Sequence, residues 1–193
     1  PDPVTGDRVD QKGDRCGVDA VGAELVTSND HPGGNVTGTS DASPVEAQIG
    51  VIKELLPDVD KIGIFYTQSE INSEVQCNQA KAAAEAQSIE VVVKTCTDSS
   101  DLVSSLQNLC GQDVDAIYIP TDNNVAANMG SVANVVEQLE NPVLLVCGEE
   151  NQISAGGHVT LSINYTDLGK RTADMAVDIL KNGKKTYDLP VVT

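Results

Sequence analysis

Residues Lys61–Gln87, KIGIFYTQSEINSEVQCNQAKAAAEAQ, read as a strand, a polar turn and a helix in direct succession. The run Ile62–Tyr66 is short, continuous and apolar rather than alternating. That is the pattern of a strand covered on both faces, as in a parallel sheet. The stretch that follows is rich in Ala, Glu and Gln, good helix formers. The residues between them, Thr67 to Ser73, have two readings: they cap the helix, or they face a ligand.

The same alternation continues in both directions. Further apolar runs occur at Ile89–Val93, Ala116–Ile119, Val143–Val146 and Val159–Ile163. Helical patterns separate them. Ser99–Cys110 places Leu102, Val103, Leu106, Leu109 and Cys110 on one face, and Asn123–Leu139 does so with Val125, Met129, Val132, Val136 and Leu139. Upstream, SPVEAQIGVIKELLP has Ser43 and Glu46 in capping-box register, Pro44 at the first helical position and Pro57 beyond the end. Downstream, YTDLGKRTADMAVDILKNG puts Leu168, Ala176, Ile179 and Leu180 on a stripe, with Gly183 as its stop. Strand and helix alternating every ~25 residues predict an α/β fold with a doubly wound parallel sheet and right-handed crossovers. The compact unit is expected over residues 40–182. The residues before it are rich in Asp, Gly and Pro and show no convincing element.

Composition narrows the function. The 193 residues carry 12 Lys and Arg against 29 Asp and Glu, a formal charge of −17. Such a surface repels phosphate backbones and anionic headgroups, so neither nucleic acid nor an anionic lipid surface is expected as a partner. No apolar run approaches the ~18 residues of a membrane span, and the start of the chain has no signal-peptide pattern. Cys16, Cys77, Cys96, Cys110 and Cys147 are odd in number and form no CxxC pair, so neither a zinc site nor a dithiol redox motif is indicated. They read as small buried hydrophobes. His31 and His158 lack a partner at ligand spacing and are expected at the surface, and no metal or cofactor is expected. No GxSxG, GxxxxGK[ST], GxGxxG or HExxH occurs.

In open parallel sheets, ligands bind beyond the carboxyl ends of the strands. That rule selects Tyr66, Ser69, Glu70, Asn72 and Ser73 after the first strand, and Thr121, Asp122 and Asn123 after the third. It selects Glu149 after the fourth and Asn164 after the fifth. At Ser69–Ser73 the helix start offers unpaired N–H groups suited to a ligand carboxylate, while the plainer reading makes Ser69 an N-cap. Asp122 either caps the next helix or receives a ligand ammonium. Glu149 and its neighbour Glu150 are a solvated turn or an ammonium site. Tyr66 either stacks on a ligand or packs at the core edge.

The blocks HPGGNVTGTSDASPVEAQIGVIKELLPDVDKIGIFYTQSEINS, AIYIPTDNNVA and NYTDLGKRTADMAVDILKNGK, in this order, resemble the substrate-binding proteins of a bacterial ABC-transporter family. Its characterised members include binders of tryptophan and other aromatic amino acids. The resemblance implies a type I periplasmic-binding-protein clamshell, with two Rossmann-like lobes and a ligand held between them. It implies that Ser69, Glu70, Asn72 and Ser73, the block Thr121–Asn123, and Glu149 face that ligand. Asn164 stands where the family commonly has Asp. The part resembling the end of the first lobe begins only at Gly17. The chain is therefore expected to be largely the second lobe: residues 1–39 a remnant of the first lobe and hinge, 40–182 the ligand-binding lobe, and 183–193 a return segment.

The expected function is thus that of a non-catalytic, extracytoplasmic solute-binding component of an ABC importer. It would capture a small ligand, an amino acid, and deliver it to a permease. The ligand carboxylate would meet Ser69–Ser73 and its ammonium Asp122 or Glu149. The alternatives are a cytosolic ligand-sensing domain of a transcriptional regulator, which calls for a DNA-binding segment, and an enzyme on a flavodoxin-like sheet, which calls for catalytic motifs the sequence lacks.

Overall fold

The computed structural model describes residues 20, 21 and 24–192. These fall into two units, one formed by Ser43–Asn164 and the other by the residues up to Ala42 together with those from Tyr165. The expected lobe, 40–182, and this division differ in where they place the last helix.

The Ser43–Asn164 unit carries α1 (Val45–Leu55), β1 (Lys61–Thr67), α2 (Ile71–Ala86), β2 (Glu90–Cys96), α3 (Leu102–Cys110) and β3 (Ala116–Ile119). Next come α4 (Asn123–Ala127), α5 (Met129–Glu137), β4 (Leu144–Cys147), α6 (Glu150–Ser154) and β5 (Val159–Thr160). The five strands form one sheet in the order β2-β1-β3-β4-β5, every pairing parallel. This is the flavodoxin-like order, in which the connections reverse direction between β1 and β3.

The continuous apolar runs follow from burial on both faces. Successive side chains of a strand point to opposite sides. Ile62, Ile64 and Tyr66 of β1 join Ala116, Tyr118 and Val146 under α1 and α2, against Val45, Ile49, Ile52, Cys77, Ala80 and Ala84. Phe65, Ile117, Ile119, Leu145 and Cys147 face the other way, onto Leu102, Leu106 and Leu109 of α3 and Val125, Met129, Val132 and Val136 of α4 and α5. The edge strand β2 is only partly buried, except at Cys96. A Cβ at Gly63 would lie 2.8 Å from the Leu109 side chain, so the missing side chain on β1 is what lets α3 seat there.

Three elements depart from expectation. The helix expected over Asn123–Leu139 is two helices, α4 and α5, divided at Asn128, whose backbone (φ −112°, ψ 15°) leaves the helical range and whose Nδ2 donates to the Asn124 carbonyl at 2.8 Å. β5 has two residues rather than five. Its partner β4 ends at Cys147, opposite Thr160, so the residues beyond have no ladder to join. At α1 the capping box does not form: Pro44 occupies the N-cap, without a side-chain cap. His158 is exposed as expected, yet its Nδ1 accepts the Leu145 N–H at 3.0 Å. Among the described residues Cys77, Cys96, Cys110 and Cys147 are free thiols, and all but the half-buried Cys110 are buried. Burial raises the pKa of each, that of Cys147 to about 12, with the charge of Glu149 adding to the effect. Cys16 lies outside the described residues.

The second unit contains α7 (Tyr165–Leu180) and a short 3-10 turn at Thr186–Asp188. A parallel bridge pairs Thr39 with Val192, supported by Ser40 N–H donating to the Val192 carbonyl (2.8 Å) and Val191 N–H to that of Asn29 (2.7 Å). The expected apolar stripe on α7 is poorly covered: Met175 is its buried residue, and Leu180 is 86% exposed. Gly183 takes the left-handed φ of +74° that a stop after the helix calls for.

Leu109→Ala is expected to lower the stability of the Ser43–Asn164 unit by about 2–5 kcal/mol, because it opens a cavity directly over Gly63. Urea denaturation of the two proteins measures the difference.

Candidate functional site

Because the sheet is wholly parallel, the turns after β1, β3, β4 and β5 leave from one edge. The switch point between β1 and β3 brings the first two together. Asp122 lies at their junction and is 1% exposed. Its Oδ2 accepts the Thr67 N–H (2.7 Å) and is 3.2 Å from Ser73 Oγ. Its Oδ1 accepts the Thr67 hydroxyl (2.9 Å) and the Val125 N–H (2.8 Å). The last of these is the N-cap of α4. Two carboxylate oxygens offer about four acceptor directions, and protein donors are aimed at all of them. Asp122 therefore ties β1, α2 and α4 to the end of β3. It does not reach the surface to meet a ligand ammonium.

Thr121 is held as firmly. Its N–H donates to Gln76 Oε1 (2.9 Å), its hydroxyl contacts both ends of the Gln76 amide (2.8 and 3.0 Å), and Ser43 Oγ lies 3.3 Å away. The Thr121 carbonyl accepts from Asn72 Nδ2 and Ser73 Oγ, both at 2.8 Å. Ser73 has one proton to divide between that carbonyl and Asp122.

Of the ten candidate residues, Ser73 and Asp122 are thus buried parts of the scaffold, and the polar groups of Thr121 are engaged by protein. Asn72 donates inward. Tyr66 is 9% exposed within the core beneath α1 and α2, so its ring packs there instead of stacking at the rim. Burial raises its pKa, and the neighbouring Cys77 and Glu74 add to this. Ser69 and Asn123 are exposed, Glu70 and Glu149 half-buried, and Asn164 exposed in the connection after β5. Asn123 Nδ2 makes a long hydrogen bond to Glu70 Oε1 at 3.3 Å. Glu70, not Ser69, is the N-cap residue of α2, and Glu74 stands in its first turn. Two carboxylates at the helix start, and the inward commitment of Asn72 and Ser73, oppose a ligand carboxylate there.

Glu149 opens the turn after β4. Its pKa is raised, first by partial burial and then by the charge of Asp122. The turn is tight: a Cβ on Gly148 would lie 2.8 Å from the Thr121 nitrogen and 2.9 Å from the Pro120 carbonyl carbon, both backbone atoms. Between residues 43 and 164 the chain has four lysines and no arginine. Lys61 pairs with Glu90 at the starts of β1 and β2, and Lys81 with Glu85 late in α2. Lys53 reaches the Val59 carbonyl ahead of β1, and Lys94 lies on the edge strand. None belongs to a turn at the carboxyl edge, so this rim offers acceptors to a cation and no side-chain cation to an anion.

Further residues, outside the ten selected from sequence, help to build the rim. Thr67, Gln76 and Asn124 join the Asp122 cluster, with Asn124 Nδ2 donating to Thr67 Oγ1 at 3.1 Å. Gln48 and Gln152, both 0% exposed, hold the Gly148 turn. Their signal is a polar residue on the apolar face of a helix: Gln48 falls among Val45, Ile49 and Ile52. No group of His, Cys, Asp and Glu among the described residues is arranged to hold a metal ion.

Asp122→Ala is expected to destabilise the unit by about 2–4 kcal/mol, since it leaves the buried Thr67 and Val125 N–H groups without partners. Chemical denaturation checks this; a loss under about 0.5 kcal/mol contradicts the role assigned to the carboxylate.

Comparison with known proteins bears on this arrangement. A family model described as ABC transporter substrate binding protein matches residues 15–193. A tyrosine-binding protein of Clostridioides difficile (strain R20291) is 36% identical over 176 residues, covering 91% of this chain and 50% of that protein. The ligand-free, open structure of a Clostridium difficile substrate-binding protein with adhesive properties aligns with a TM-score of 0.80 at 37% identity, over 91% of this chain and 58% of that one. An ABC domain from Streptococcus pneumonia in complex with L-Trp aligns with a TM-score of 0.64 at 34% identity, over 90% and 58%. The chain spans about half the length of the curated relative it matches. With a family model covering nearly all of it and a relative this similar, the chain belongs to the ABC transporter substrate-binding proteins, a family of binding proteins rather than enzymes.

Proposed function

We propose that this chain carries one ligand-binding lobe of an extracytoplasmic ABC-importer component, which captures an amino acid in an interlobe cleft and delivers it to a permease. In this reading residues 1–39 and 183–193 belong to the first lobe and hinge. Among the described residues no helix is long and apolar enough to cross a membrane. The aromatic amino acids are the leading ligands, because one relative is named for tyrosine and another is bound to L-Trp.

The observation that carries the reading is the polarity of the rim. Glu70, Glu149 and Glu150 follow strand or turn ends there, and no lysine or arginine accompanies them. This lobe then takes the cationic end of the ligand, with Glu149 as the ammonium partner and Ser69, Asn123 and Asn164 as neutral hydrogen-bonding neighbours. The ligand carboxylate is held outside this lobe. Closure on the ligand shifts the population of the clamshell, and the permease reads the closed form.

Calorimetry on the full-length, two-lobed protein with L-tyrosine, L-tryptophan and an aliphatic panel tests the ligand class. Heat with an aromatic amino acid is expected; silence from the folded protein with the whole panel removes the amino-acid reading. Glu149→Gln is expected to weaken binding by about 10- to 100-fold, the worth of one charge-assisted hydrogen bond. Affinity also depends on pH with a definite sign. The carboxylate must be ionised to meet the ammonium, and its pKa is raised. Binding is therefore strong above that raised value and fades as the pH falls through it, at a higher pH than for an ordinary glutamate. The same shift acts on folding in the opposite sense: the contribution of Glu149 to stability is greatest below its unfolded pKa and is lost as the pH rises through the folded one.

A further inference from the structure

Gln48 is the polar exception on an apolar helix face, and its side chain makes three hydrogen bonds toward the carboxyl half of the sheet. Its Nε2 donates to the carbonyls of Gly148 (3.2 Å) and Leu161 (2.8 Å), and its Oε1 accepts the Tyr118 hydroxyl (2.8 Å). Carbonyls only accept, so the two of them fix which end of the amide is which. Burial raises the pKa of Tyr118, which keeps its hydroxyl protonated and able to donate. A fully buried amide costs free energy unless each group is paired, and an apolar residue would fill the same space without that demand. What the amide adds is a fixed position for two backbone segments. One is the peptide joining Gly148 to Glu149. That same Gly148 is held from its other side, its N–H lying 2.8 Å from the Ile119 carbonyl and 3.1 Å from Oε1 of Gln152, whose Nε2 in turn donates to Pro120.

We propose that Gln48 is a positioning residue for the rim carboxylate: by grasping the Gly148 carbonyl it sets where Glu149 stands, and with it the discrimination between ligands that carry an ammonium and ligands that do not. The inference deepens the reading of Glu149 given above. Gln48 touches no ligand and acts only through the turn. A residue needed merely for folding would weaken every ligand alike, whereas a positioning residue weakens the ammonium-bearing ligand selectively.

The test uses Gln48→Met, which keeps the length and apolar bulk of the side chain, and Tyr118→Phe, which removes one anchor of the amide. Titration of the Glu149 carboxyl carbon by NMR, on the full chain and without ligand, is the first readout. The wild-type midpoint is expected above the ordinary glutamate range, and Gln48→Met is expected to return it toward that range, with Tyr118→Phe in between. The second readout is the affinity ratio of L-tyrosine to its deaminated analogue in the full-length protein. Gln48→Met is expected to reduce that ratio by about tenfold and to add nothing further to Glu149→Gln. A folded Gln48→Met protein with an unchanged midpoint overturns the proposal, as does a wild-type midpoint in the ordinary range. So does an equal weakening of both ligands. If Gln48→Met does not fold, an unchanged midpoint in Tyr118→Phe overturns it. Because the titration needs no ligand, a shifted midpoint alongside a silent amino-acid panel sustains the positioning role while the amino-acid reading falls.

Discussion

A single buried carboxylate holds the carboxyl edge of this sheet together. Where β1 and β3 lie side by side, the chain leaves them toward opposite faces, into α2 from one and α4 from the other. Such a divergence exposes backbone N–H groups at the ends of both strands. Asp122 answers this by accepting the Thr67 N–H and hydroxyl across the gap, the Val125 N–H on its own side, and the Ser73 hydroxyl from α2. The charge is affordable in the interior because donors surround it. With that junction closed, the adjoining Thr121 turn is fixed, Gly148 packs against Thr121, and the Glu149 turn inherits its position from both.

The rim thus has two layers with different jobs. The inner layer consists of Asp122, Ser73, Thr121, Gln76, Gln48 and Gln152, whose polar atoms meet other protein atoms. The outer layer is Ser69, Glu70, Asn123, Glu149 and Asn164, which reach solvent. Preorganisation of this kind lowers the ordering cost of binding. The two layers are electrically coupled: after partial burial, the charge of Asp122 adds to the raised pKa of Glu149.

The sheet was legible because burial on both faces leaves a mark, a short run with no polar interruption such as Ile62–Tyr66. The carboxyl-edge rule then picked out turns that the parallel sheet does gather along one edge. What it did not resolve was which polar residues point inward. Asp122 as a helix cap was among the readings, and the structure adopts it. Gln48 stands out as an amide among apolar residues, but its partners Tyr118 and Leu161 lie 70 and 113 residues away along the chain. Local pattern carries no information about such pairs. The end of β5 was misjudged for a related reason. Its apolar residues continue to Ile163, but a strand ends where its neighbour does, and that neighbour's end, Cys147, is a property of another segment. Tyr66 shows the converse: its place at a strand end suggested the rim, while the alternation of β1 sends it into the core with Ile62 and Ile64.

The sheet order also dictates a schedule for the nascent polypeptide. Of the five strands of this sheet β1 comes first along the chain and yet lies second in the order, flanked by β2 and by β3. Its pairing with β2 closes after one helical crossover, whereas Ile62 must wait for Ala116, a whole βαβα segment later, to cover its other side. Until then β1 has one hydrogen-bonding flank open, the kind of template on which chains join one another.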